Sequence, residues 1–66
     1  MKVYVKYTAP ADEDASHTAF CKAWDMGWDL SRDDTATRAV RDDDHADDVV
    51  AEFRELGFNV NDYKTE

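Results

Sequence analysis

The stretch RDDDHADDVVAEFRELGFNVNDY, Arg41 to Tyr63, constrains this chain more than any other. Ala46, Val49, Val50, Phe53 and Leu56 recur at the three- and four-residue spacing that lines one side of an α-helix. Gly57 is a stop, and Phe58 and Val60 begin an alternation suited to a returning strand that ends near Tyr63. The other helix face carries Asp44, Asp48 and Glu52 at intervals of four, with Asp47 and Glu55 beside them. Carboxylates so spaced repel, each pair costing about 0.2–0.5 kcal/mol. Stability alone would favour Lys opposite Glu, and only Arg54 is near enough in sequence to compensate. The row of like charges is therefore the main pointer to function, and it indicates a binding surface.

The rest of the chain supplies partners for that helix. KVYVKYT, residues 2–8, alternates as a strand, with Val3, Val5 and Tyr7 facing a core and Lys2, Tyr4 and Lys6 facing out. Pro10 and the acids Asp12, Glu13 and Asp14 end the strand and cap a helix, where carboxylates meet free backbone N–H groups. From about Asp14 to Met26, Ala15, Ala19, Phe20, Ala23 and Trp24 form a narrower stripe, and Gly27 is a C′ glycine. Trp28 and Trp24 are both expected in the core. Trp28-Asp29-Leu30 reads as a short strand, Ser31 to Asp34 as a turn, and TATRAVR from Thr35 to Arg41 as the next strand.

AWDMGWDLS, starting at Ala23, aligns with FRELGFNVN, starting at Phe53, so that Gly27 matches Gly57 and Trp28 matches Phe58. Two copies of strand–helix–strand give β-α-β-β-α-β, an α+β ferredoxin-like plan with a four-stranded antiparallel sheet and two helices on one face. A simpler β-α-β-α-β order follows if TATRAVR is loop. In the four-stranded plan Asp12, Glu13, Asp14, Asp33, Asp34 and Glu55 fall at one pole. Asp42, Asp43, Asp44, Asp47 and Asp48 fall at the other, and the Asp44–Asp48–Glu52 row joins the two.

Sixty-six residues make a single domain, residues 1–66. Sixteen acids against eight bases give a net charge of −8, which repels nucleic acid and anionic membranes and attracts basic protein surfaces. Direct nucleic-acid binding and membrane association are thus disfavoured, and a monomer is expected. A high-salt cytoplasm also favours surface acids, so solvation alone is a competing account of the charge. The single cysteine, Cys21, fits a reducing cytoplasm, and the alternating N-terminus is unlike a signal peptide.

No motif supplies a reaction or a cofactor. A calcium loop beginning at Asp42 would need glycine sixth, where Asp47 stands. His17 and Cys21, four apart, are two ligands where zinc needs three or four. There is no nucleophile elbow, phosphate-gripping glycine loop or zinc-protease pair. No catalytic residue, metal site or cofactor is expected, and the chain reads as a non-enzyme. Tyr4, with Arg38 and Tyr63, is expected on the open sheet face, which offers an alternative role as a small regulatory or assembly subunit.

In size, charge and lack of catalytic motifs the chain resembles the small acidic inhibitors of phages, the DNA-mimic anti-CRISPR and anti-restriction proteins. DDDHADD, the Asp44–Asp48–Glu52 row and ADED at residues 11–14 carry the resemblance. It implies an inhibitor in the host cytoplasm whose acids occupy a basic DNA-binding groove, for example that of a CRISPR surveillance complex.

Overall fold

The alternation of KVYVKYT becomes β1 (Lys2–Thr8), the middle strand of the sheet. In the computed structural model, which describes residues 1–32 and 34–66, β1 is followed by α1 (Glu13–Asp25), β2 (Thr35–Ala39), α2 (Asp43–Glu55) and β3 (Asn59–Thr65). Asp33, expected at the acidic turn, lies outside the described residues. The strand order is β2-β1-β3, antiparallel on both sides of β1.

The expected four-stranded β-α-β-β-α-β plan is thereby corrected to a three-stranded antiparallel sheet with two helices. Trp28-Asp29-Leu30 makes one antiparallel bridge, Asp29 to Thr37, through N–H···O bonds of 2.8 and 3.0 Å. The Ser31 N–H then donates to the Asp29 carboxylate at 3.0 Å, which turns the chain out of the sheet after a single pair. Three residues between a helix-stopping glycine and that turn are too few for a ladder.

Both helices stop at the glycines the sequence marks, and α1 starts at its acids. Asp12 caps α1 by accepting from Ala15 N–H, and Asp42 caps α2 by accepting from His45 N–H at 2.8 Å. The His45 ring reaches back, its Nδ1 accepting from Arg41 N–H at 3.0 Å. At the end of α1, Gly27 N–H donates to Trp24 and Trp28 N–H to Ala23, a Schellman pair that needs the positive φ of Gly27. Gly57, also at positive φ, ends α2 with its N–H on the Arg54 carbonyl at 3.0 Å.

The core forms between one sheet face and the helices. Val3, Val5, Tyr7 and Ala36 from the sheet meet Ala19, Ala23, Ala46, Val49, Val50 and Phe53 from the helices, all buried. Phe53 stacks on Phe58 with centroids 4.2 Å apart, and Tyr7 packs edge-on against both rings. Trp28 is buried as expected, but Trp24 is 52% exposed and its assignment to the core is corrected. α1 buries only its alanines, Ala19 and Ala23. Trp28, arriving from the following loop, supplies bulk that Trp24 does not. Among the described residues no charged or polar residue is buried, so every described acid meets water. No helix among them is long and apolar enough to cross a membrane.

A candidate acidic docking surface on α2

The acids of α2 divide into three groups according to the neighbour each faces. Asp43 and Asp47 lean toward β3. Thr65 Oγ1 donates to the Asp43 carboxylate at 2.8 Å, and the Tyr63 hydroxyl donates to Asp47 at 2.7 Å. Glu52 leans toward β2, its Oε2 standing 3.9 Å from Arg38 Nη1. Asp44, Asp48 and Glu55 lie opposite the buried Ala46–Val49–Val50–Phe53 stripe and point outward. Among the described residues no cation pairs with Asp43, Asp44, Asp47, Asp48 or Glu55.

The two hydroxyl contacts are the informative ones. A hydroxyl donor fixes a carboxylate in direction and leaves its charge intact, whereas Lys or Arg would fix it and cancel it. The Asp47 contact is also felt by its partner. The hydrogen bond to Asp47, then partial burial and the Asp47 charge, raise the Tyr63 pKa above its usual 10.0, against a small opposing pull from Arg54.

Of the twelve acids expected to bind a partner, the eleven described ones do not form one surface. Asp42, Asp43, Asp44, Asp47 and Asp48 gather at the start of α2, beside the Lys2–Glu66 end of the sheet. Asp12, Glu13 and Asp14 open α1 at the other end. Asp34 joins them, because its carbonyl accepts from Tyr7 N–H at 3.0 Å, and Glu55 ends α2 where Gly57 approaches Pro10. Thirteen residues of helix hold the clusters about 18 Å apart. Glu52 links them less freely than the sequence suggests, since Arg38, rather than Arg54, tempers it.

Arg38 and Tyr63 are not on the open sheet face. Arg38 stands opposite Val3 in register, so it shares the core-facing side, crosses the Trp28 ring at 6.0 Å and carries its charge out to Glu52. Its Nη1 and the Trp28 indole N–H have no hydrogen-bond acceptor among the described residues. Tyr63 is turned by a bulge. Tyr7 pairs with Val60 but Lys6 pairs with Asp62, and the extra residue, Asn61, rotates Tyr63 and Thr65 to the helix side. The open face instead holds Lys2, Tyr4, Lys6, Thr35, Asp62 and Lys64, and all of these but Lys2 line a shallow depression of about 610 Å³ together with Arg32, Tyr63 and Glu66. Its charges are mixed, with Lys64 3.2 Å from Glu66.

Asp29 is a carboxylic acid with a perturbed pKa. The Ser31 backbone N–H, then the Ser31 hydroxyl, hold its carboxyl below the ordinary 3.8 against desolvation, with still weaker help from the charges of Lys2 and Arg32. Cys21 Sγ and His17 Nε2 lie 3.7 Å apart on exposed α1, with no third ligand, and no set of three potential ligands converges among the described residues. His45 Nδ1 is spent on the Arg41 N–H, so DDDH works as a helix cap. Comparison with protein families, curated proteins and solved structures finds no match.

Proposed function

We propose that this protein is an acidic inhibitor that binds the basic nucleic-acid-binding surface of a host defence complex and blocks its engagement of target DNA. It would act in the host cytoplasm, in the manner of DNA-mimic anti-CRISPR proteins. One observation carries the reading. Five of the six α2 carboxylates, all but Glu52, have no neutralising partner among the described residues, and two of them are oriented by hydroxyls of β3. Successive acids along the row lie about 6 Å apart along the helix axis, a spacing compatible with lysine and arginine side chains that otherwise hold phosphates. Charge complementarity of this kind speeds encounter and makes affinity fall with salt. No chemistry on the partner is required.

The test is displacement of a labelled DNA duplex from purified CRISPR surveillance complexes and other basic DNA-binding complexes, followed by fluorescence anisotropy. The wild-type chain should displace duplex at low salt and lose that ability as salt rises. D44N/D48N, which spares the Asp42 cap and the hydroxyl-held Asp43 and Asp47, should displace it poorly. Equal displacement by the two proteins counts against the reading. The alternative, a subunit docking through its open sheet face, is weakened because Arg38 and Tyr63 face the helices and leave Tyr4 to carry it.

A further inference from the structure

β3 is an edge strand seven residues long, and its outer side has no strand neighbour among the described residues. Lys2 and Glu66 exchange both backbone bonds, at 2.8 and 2.9 Å. In an antiparallel ladder such pairs alternate, so Tyr4–Lys64 and Lys6–Asp62 are also bonded pairs, and the backbone groups of Tyr63 and Thr65 point outward. The Tyr63 N–H accordingly finds no strand and is held by the Asp62 carboxylate at 2.9 Å. A row of outward N–H and C=O groups is a template for another strand.

We infer that this edge pairs with β3 of a second copy of the chain, antiparallel about a two-fold axis at Tyr63. Charge complementarity singles out one register. With Tyr63 opposite the partner's Tyr63, Asp62 stands opposite the partner's Lys64, and Lys64 opposite the partner's Asp62, on the open sheet face. A shift of two residues either way keeps the outward groups paired but sets Asp62 against Asp62 or Lys64 against Lys64. Directly opposed charges in an antiparallel pair stabilise when unlike and destabilise when alike, so one register is favoured over its neighbours. Asp62 then has two states. In the single chain it covers the Tyr63 N–H, and in the pair it releases that donor to the partner's carbonyl and meets the partner's Lys64.

The pairing sets two chains of net charge −8 side by side. Self-association should therefore strengthen as salt rises, while docking of the acids on a basic partner weakens. The inference stands on β3 alone, so either reading can fail without the other.

Sedimentation of the full chain from micromolar to about millimolar concentration, in about 0.15 M and about 0.5 M salt, reads the outcome. The expected result is a concentration-dependent dimer with new hydrogen-exchange protection at the Tyr63 and Thr65 amides. K64D sets like charges opposite each other twice and should weaken the dimer by about tenfold at the lower salt. D62K/K64D restores unlike pairs and should restore the dimer. Because that variant also lacks the Lys64–Glu66 ion pair, recovery cannot come from within one chain. Circular dichroism confirms that each variant folds. A monomer at every concentration overturns the inference and leaves the edge to an extended segment of another protein. A dimer that K64D leaves unchanged overturns it too, and moves the contact to the open sheet face or exposed Trp24.

Discussion

Replacing Asp48 by Asn should make the protein more stable, and the size of the gain follows from the geometry of α2. Asp48 repels Asp44 one turn before it and Glu52 one turn after it, and no cation pairs with it among the described residues. Relief of two such pairs is worth about 0.4–1 kcal/mol. The Arg38 guanidinium at 3.9 Å already tempers Glu52, which pulls the expectation toward the lower half of that range. Little opposes the gain. Asn and Asp differ slightly in helix propensity, and Asp48 lies past the first turn, where a carboxylate profits from the helix dipole. For a domain of this length, the melting temperature at low salt should rise by about 2–5 °C. At about 1 M salt, with a screening length near 3 Å, the rise should vanish. Far-UV circular dichroism melts at both salts measure it. A lower melting temperature at low salt would refute the reasoning by revealing a stabilising contact at Asp48. A rise that survives high salt would show that repulsion was not its source.

Three further outcomes separate the acids by their neighbours. D47A, one residue away, should act with the opposite sign, because stripping the acceptor from the Tyr63 hydroxyl costs about 0.5–1.5 kcal/mol in a urea melt, more than the about 0.2–0.5 kcal/mol returned by relief of the Asp43–Asp47 repulsion. Since the folded chain holds the Tyr63 proton to higher pH than the unfolded chain, this contribution is whole below pH 10.0 and is lost as pH rises through the raised folded value; urea midpoints on either side should show the loss in wild type and not in Y63F. D14N removes one charge from the start of α1, as D48N does from α2, so in the duplex-displacement assay only D48N should weaken competition if the α2 surface makes the contact.

How much of this was legible in the sequence depends on whether a feature is set locally. The acid cap of α1, the glycine stops and the stripe of α2 are written into neighbouring residues, and all of them form. The echo between the halves also holds at the helix ends, where Gly27 and Gly57 share positive φ and Trp28 and Phe58 are both buried. Beyond that point the halves part. Phe58 and Val60 lead into a seven-residue strand, while Asp29 captures the Ser31 N–H and ends its segment after one bridge. The sides of Arg38 and Tyr63 depend on long-range pairing. Simple alternation from Val60 puts Tyr63 on the open face, and only the bulge at Asn61, a property of the β1–β3 pair, reverses it. The hydroxyl contacts to Asp43 and Asp47 inherit that reversal, so no pattern within α2 announces them.

Those contacts also bear on why the chain carries so many acids. Adaptation to a salty cytoplasm asks for hydrated carboxylates spread over the surface and sets no requirement on their direction. The acids of α2 are arranged more narrowly. Six fall on one thirteen-residue helix whose only basic residue is Arg54, while Lys2, Lys6 and Lys64 lie on the sheet. Ordering Tyr63 and Thr65 to hold Asp47 and Asp43 costs side-chain entropy, and it returns direction without removing charge. A surface that needed only hydration would gain from that ordering nothing beyond the stability of the two hydrogen bonds. One that must present carboxylates to a fixed set of cations gains preorganisation, because the directions are set before the partner arrives.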